Sequence, residues 1–529
     1  MRWIGILGLA VLLGIGVLLS QDRRRIRLRV VTWGIALQVL FAVIILSQNA
    51  LSWVGMYIFL LLILLYVFTD TTLSPGQWAK AAGPAALIAL GAGAGVAIAF
   101  LLDRVHVALP LIGALVVAGI AFHAGKRQQY VRYVSGSALT LSLGVLISRG
   151  VYGRAVMQAL ADQVAKFLKL SDLGATFLFG NLAKAEFFDQ FGVQFAFSVL
   201  PTIIFFSAVM AILYYLGVMQ AVVVMMARFM RWTMGTSGAE TLSCSANVFV
   251  GQTEAPLLIR PFLERLTISE LHAVMVGGFA TIAGGVMAGY IRMGIDAGYL
   301  ITASVMSAPA ALVMAKIFLP ETQHSVTAGD VRLPPIPKGD NLLDAAARGV
   351  TDGLKLAANV GAMLIAFIAL IGLVDVILAF GDKMVDGRLL RGIYDMQRGE
   401  FRGFFPGSLR TLFGALFAPL AFLMGVPWKD AAAVGNLLGI KVSANEFVAY
   451  VELSKYVAAG HLSPKAVVIA TYALCGFANF SSIGIQIGGI GALAPSRRAE
   501  LAKAGLRAMV AGALASWMTA TIAGVLFEP

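Results

Sequence analysis

The chain predicts an all-α membrane protein: a polytopic helical bundle with inverted repeats, two re-entrant hairpins and broken helices. Three observations carry that prediction. Charged side chains are too few to cover a water-facing surface, apolar stretches of spanning length follow one another along the chain, and a polar motif recurs within it.

Of the 529 residues, 59% are hydrophobic and 13% are charged. A soluble domain carries about 25% charged residues, so the excess apolar surface must meet lipid or lie in protein packed within it. Glycine is abundant, with 57 residues. Small residues let helices approach closely in lipid, and glycine permits broken helices where they line a cavity. The formal net charge is +13. Its basic residues cluster at the ends of apolar segments, as the positive-inside rule requires, and this argues against a nucleic-acid partner. Cys244 and Cys475 form no CxxC pair, so neither a disulfide framework nor a zinc site is expected.

Apolar stretches lie near 3–20, 30–47, 51–69, 81–102, 107–124, 134–150, 197–217, 272–290, 298–317, 356–380, 407–425, 465–490 and 505–526. Each approaches the ~20 residues that a helix needs to cross the hydrocarbon core. The first reads as a retained helix: it lacks a small-residue cleavage site, and the cluster Arg23, Arg24, Arg25, Arg27 and Arg29 follows it. That cluster, Lys126–Arg132, Arg228 with Arg231, and Arg497 with Arg498 are expected in the cytoplasm, with both termini outside; Arg149 and Arg154 run against this orientation. The residues around Pro334, Pro335 and Pro337 read as a cytoplasmic linker. Residues 381–406 read as a second polar loop, and 152–172 as an amphipathic surface helix.

Ser245-Ala246-Asn247-Val248-Phe249-Val250 matches Ser443-Ala444-Asn445-Glu446-Phe447-Val448, and Gly278-Phe279-Ala280-Thr281 matches Gly476-Phe477-Ala478-Asn479. Both pairs are 198 residues apart. Repeated halves with interrupted helices near the bilayer midplane mark transporters, and the basic-residue pattern makes the repeats inverted.

The densest polar run is Glu240 to Asn247, followed by Gly251-Gln252-Thr253-Glu254-Ala255-Pro256. Gly251 and Pro256 interrupt helical hydrogen bonding on either side, which predicts a re-entrant hairpin whose tip carries donors and acceptors. A cytoplasmic loop is the plainer alternative. Glu446 sits in an apolar setting and needs a hydrogen-bond partner or a cation; an ion pair with Lys441 is one such solution. The amides and hydroxyls of Cys475 to Ser482 line a site or join helices together. Gly91, Gly93 and Gly95 lack a βαβ context and read as helix packing, and the scattered histidines show no ligand spacing.

The segments SANVFVGQTEAPLLIRPF, GGFATIAGGVMAGY, SANEFVAY and CGFANFSSIGIQIGGIGALAPSRR resemble the concentrative nucleoside transporters, as do VLPTIIFFSA and AANVGAMLIAFIALIGL. The resemblance covers residues 1–50 and about 155–529, and leaves 51–150 as an insert of extra membrane helices. It implies a sodium-coupled symporter in the cell membrane, a homotrimer that imports nucleosides by alternating access. The scaffold would begin with 1–50. The first repeat would occupy 151–320, with hairpin 240–258 and broken helix 272–290. After a linker at 321–345, the second repeat would occupy 346–529, with hairpin 428–450 and broken helix 465–490. Carried over by motif, Gln252, Thr253 and Glu254 would bond the nucleobase and Val286 would pack on it. Glu446, Asn479 and Ser482 would hold ribose hydroxyls, and Phe477 would line the pocket. Sodium, the coupling ion, would be held by Asn247, Val250, Thr281 and Ile282, largely through carbonyls; the family often has serine where Thr281 stands. No cofactor is implied. Buried hydrogen-bonding groups suit a polyhydroxyl substrate, because a missing partner strands a polar group, and hard oxygen ligands suit an alkali cation. Proton coupling through Glu254 or Glu446 is the alternative mechanism, and a membrane enzyme or channel a more distant one.

Overall fold

The computed structural model describes residues 2–68, 151–184, 194–328, 340–396 and 399–527. The stretches expected near 81–102, 107–124 and 134–150, the Lys126–Arg132 cluster, Arg149 and the linker prolines lie outside the described residues. Two strands of two residues each, Tyr394–Asp395 and Glu400–Phe401, are the only described β-structure; they pair antiparallel, Tyr394 opposite Phe401. They fall within the stretch read from sequence as a polar loop, at 381–406.

The first helices are α1 (Arg2–Leu18), α2 (Leu28–Leu46) and α3 (Ala50–Phe68), followed by α4 (Gly153–Leu168) and α5 (Ser171–Phe179). Next come α6 (Leu200–Tyr215), α7 (Val218–Met234) and α8 (Gly238–Ala246), and a 3-10 segment at Ala255–Arg265. The first broken helix is α9 (Ile268–Ala280) plus α10 (Gly284–Arg292), and α11 (Ala297–Phe318) follows it. After α12 (Leu342–Asp382) and α13 (Leu409–Leu423) come α14 (Trp428–Ser443) and α15 (Glu446–Ala458). The second broken helix is α16 (Pro464–Leu474) plus α17 (Phe480–Leu493), and α18 (Arg498–Leu526) is the last described helix. Among the described residues, six helices are long and apolar enough to cross a membrane, or seven if the bent pair α13–α14 counts as one span.

The repeat seen in the sequence is a repeat of elements. α8, a second hairpin arm, α9, α10 and α11 recur in that order as α14, α15, α16, α17 and α18. Local chemistry sets each start and stop. Thr267 and Glu270 form a reciprocal cap, the Thr267 N–H donating to Glu270 at 2.8 Å and the Glu270 N–H to Thr267 Oγ1 at 3.1 Å, which satisfies two amides that α9 would otherwise leave free. Pro464 opens α16 with Ser463 as its cap. Asn445 and Asn479 cap α15 and α17, each side chain accepting from an amide three residues on. The arm of the first hairpin after its tip is 3-10 rather than α, and Pro256 and Pro261 within it remove helical donors.

α11 and α18 pack on each other in the buried centre, and α9 packs against both. A methyl group added at Gly512 of α18 would fall 2.4 Å from Phe279 Cβ, so the helices touch there without side chains between them. The pair α6 and α12 packs lengthwise in the same way: a Cβ at Gly349 or Gly353 would meet Ala208 or Ile204 Cα at 2.7 and 2.8 Å. α12 has 41 residues, hence a length of about 60 Å, near twice the ~30 Å hydrocarbon core. The sequence showed only its apolar C-terminal part, near 356–380. Its outer face is bare, with Ile365, Leu373, Val376, Ile377 and Phe380 all exposed.

Candidate functional site

Both broken helices come apart at the same place. α9 ends at Thr281, where two β-branched residues precede Gly284 and Gly285. α16 ends at Cys475, before Gly476. The breaks lie against each other: the Phe477 N–H donates to the Thr281 carbonyl at 3.2 Å. Gly476 permits this approach, since a Cβ there would stand 2.7 Å from both the Phe279 carbonyl oxygen and Ser516 Oγ. Opened backbone of this kind exposes carbonyls and helix N-termini that a continuous helix would consume.

The tips of the two hairpins flank the crossing. In the second hairpin Glu446 is the first residue of α15, where free amides and the helix dipole favour an anion. The residue is 5% exposed. Tyr290 of α10 donates to Oε1 at 3.2 Å, and Asn479 at the second break donates through Nδ2 to Oε2 at 3.1 Å. Tyr290 is itself fixed by stacking on Tyr450, the ring centroids 4.2 Å apart. The structure does not pair Glu446 with Lys441; the buried Lys441 ammonium donates to the Ala473 carbonyl at 2.7 Å. Phe447, next along, meets Phe195 edge-on ahead of α6.

In the first hairpin Gln252 reaches α17. Its Nε2 donates to Ser482 Oγ at 3.3 Å, and its Oε1 accepts from Gln486 Nε2 at 3.0 Å. Thr253 presses on the same helix, its methyl group 2.5 Å from where a Gly489 Cβ would stand. Glu254 turns back over Gly251 and remains exposed. Val286 is buried on α10, and Phe477 is half-buried at the break. Gln252 and Ser482 therefore meet directly, as do Glu446 and Asn479, whereas Glu254, Val286 and Phe477 touch neither pair by a hydrogen bond.

Asn247 is wholly buried at the end of α8. Its Nδ2 donates to the Ser243 carbonyl at 3.1 Å, while its Oδ1 has no hydrogen-bond partner. It lies beside Gly277, whose carbonyl accepts from Thr281 Oγ1 at 2.9 Å. Ile282 is buried in the break and Val250 is half-buried. An unshared buried amide oxygen beside an opened backbone is chemistry that fits a small cation.

The base of the first hairpin is tied down by charge. Lys316 of α11 pairs with Glu240 at 2.6 Å, both buried, and donates to Ser269 at 2.8 Å. Removing one member of such a buried pair costs about 3–5 kcal/mol. Glu270 accepts from Ser325 and Thr327 in the segment after α11. Sequence reading did not single out Tyr290, Gln486 or Lys316 for a role. Gln486 stands four residues after Ser482, hence on the same face of α17, and that spacing was the available signal.

Three family models cover the chain: Na+ dependent nucleoside transporter N-terminus at 7–67 and 112–182, Nucleoside recognition at 196–297, and Na+ dependent nucleoside transporter C-terminus at 299–524. Sodium/nucleoside cotransporter 1 of Rattus norvegicus is 42% identical over 470 residues, spanning 84% of this chain and 68% of the relative. An uncharacterized transporter of Haemophilus influenzae is 43% identical over 422 residues, 78% of this chain and 96% of the relative. The chain belongs to the sodium-dependent nucleoside transporter family. CNTnw, solved in an inward-facing substrate-bound state, superposes on 99% of this chain with a TM-score of 0.71 and 34% identity, 98% of the CNTnw chain being covered. A CNTnw variant in an outward-facing state superposes with a TM-score of 0.73 and 33% identity, over 99% of this chain and 98% of the variant. The N-terminal family model leaves 68–111 unmatched, a shorter interval than the 51–150 read from sequence as an insert. Members of this family are transporters rather than enzymes.

Proposed function

We propose that this transporter imports nucleosides by sodium symport through alternating access, with the substrate held between the two hairpin tips and the crossing of the two helix breaks. The observation that carries this reading is the Glu446 cluster: a buried carboxylate at a helix N-terminus, oriented by Asn479 and Tyr290. A sugar hydroxyl donating to such a carboxylate makes a charge-assisted bond, roughly twice as strong as a neutral one. Glu446, Asn479 and Ser482 take the ribose, with Phe477 lining the pocket; Gln252, Thr253 and Glu254 take the base, and Val286 packs on it. Sodium binds through Asn247, Val250, Thr281 and Ile282. The unpartnered Asn247 oxygen supports that assignment, and the absence of a carboxylate from the set favours a metal cation over a proton.

The protein sits in the plasma or bacterial inner membrane with both termini outside. The bare apolar face of α12 supports a homotrimer packed through that helix. The test is uptake of labelled uridine into proteoliposomes. Uridine is expected to accumulate against its gradient when sodium is outside, and to stop accumulating when choline replaces sodium. Uptake that survives choline but collapses with a protonophore would assign the coupling to a proton on Glu254 or Glu446.

A further inference from the structure

We propose that Gln486 is a positioning residue for substrate specificity: it fixes which edge of the Gln252 amide meets the nucleobase. The proposal rests on the assignment of Gln252 to the base made above.

A backbone carbonyl can only accept a hydrogen bond. Gln486 Nε2 donates to the Met275 carbonyl of α9 at 3.1 Å. The amino side of the Gln486 amide must therefore face α9. The same nitrogen donates its second hydrogen to Gln252 Oε1 at 3.0 Å. The orientation of one amide is thus passed to the next, and Gln252 is left with its amino group directed away from Gln486. That group makes only the 3.3 Å contact to Ser482 Oγ, near the upper limit for a hydrogen bond.

Gln252 therefore presents a donor to the substrate, and the base must offer an acceptor there: a carbonyl oxygen or an unprotonated ring nitrogen. A free glutamine could rotate its amide and satisfy a donor equally well. Locked as it is, Gln252 rejects a base that presents an amino group, because two donors would face each other in a buried site. The packing leaves little freedom for escape. Gln486 is fully buried, and a Cβ at Gly278 would stand 2.7 Å from Gln486 Nε2 and 2.8 Å from Gln252 Cβ. Gln486 Oε1 has no partner, so the residue is held in place entirely through its amino group.

The test is competition against labelled uridine by cytidine, 2-thiouridine, 4-thiouridine, inosine, adenosine and 3′-deoxyuridine, in wild type, Gln486→Met, Gln252→Ala and the double variant. Wild type is expected to discriminate about tenfold at one base position, the worth of one buried hydrogen bond. Gln486→Met should erase that discrimination and leave the ratio of uridine to 3′-deoxyuridine unchanged. In the Gln252→Ala background Gln486→Met should do nothing further to base ranking. If methionine at this position unfolds the protein, Gln486→Asn, which keeps the amide on a shorter arm, should move the ranking the same way. A uniform loss for every nucleoside in the Gln486 variants, with base ranking altered only by Gln252→Ala, would overturn the proposal and leave the Gln252 assignment standing. Base ranking indifferent to Gln252→Ala would overturn both.

Discussion

Taken residue by residue, the site is a set of polar groups whose partners are mostly protein. Glu446 is the extreme case. Tyr290 and Asn479 both donate to it, so a carboxylate with four lone-pair positions is the group that suits the place. A glutamine side chain there would turn an amino group toward one of these donors. Glu446→Gln is therefore expected to lower uridine kcat/KM by about 10- to 100-fold, the range for a hydrogen bond to a charged group, while the protein still reaches the membrane. Normal uptake by the variant would make Glu446 a structural residue and displace the ribose site. The presence of Glu446 was legible because a carboxylate in an apolar repeat has to be explained. Its partner Tyr290 was not, because Tyr290 lies 156 residues away in sequence.

Among the elements, helix breaks do the positioning. The two breaks can touch because Gly476 has no side chain; the Phe279 carbonyl oxygen stands only 2.7 Å from where a Cβ would go. Gly476→Ala is expected to wedge the breaks apart at a cost of about 1–3 kcal/mol, as for other overpacked sites. Sodium and uridine affinity should both fall, since the carbonyl of Thr281 and the neighbourhood of Phe477 move together. Binding isotherms for each ligand check this; a variant that keeps both affinities would show that the breaks need not be in contact. The broken helices and the first hairpin were foreseeable from glycine, proline and polar runs, and the second hairpin from the family resemblance alone. The 3-10 character of the arm at Ala255–Arg265 and the full length of α12 were not, since α12 begins in a polar turn that hydropathy passes over.

For the molecule as a whole, the prediction concerns orientation. The segment before α12 is assigned to the cytoplasm and the β-hairpin after it to the outside. Asp340 and Met396 are both exposed, and the two native cysteines, Cys244 and Cys475, are buried and give little background. In intact cells an impermeant maleimide should label Met396→Cys promptly and Asp340→Cys only after permeabilisation. The reverse pattern would invert the topology, and with it the assignment of the Arg23–Arg29 cluster to the cytoplasm.

Membrane class, the repeat, the interruptions of the helices and the identity of most polar groups at the tips could all be read from the order of residues. These depend on local quantities: apolar length against bilayer thickness, and residues that break helical hydrogen bonding. Which polar group satisfies which emerged with the packed helices. Packing put Lys441 on the Ala473 carbonyl instead of Glu446, gave Glu446 to Tyr290 and Asn479, left Asn247 Oδ1 unshared, and set Gln486 behind Gln252. Most of those pairings join residues far apart in the chain. Their geometry comes from the crossing of helices that small residues bring into contact, and no local pattern of residues encodes that crossing.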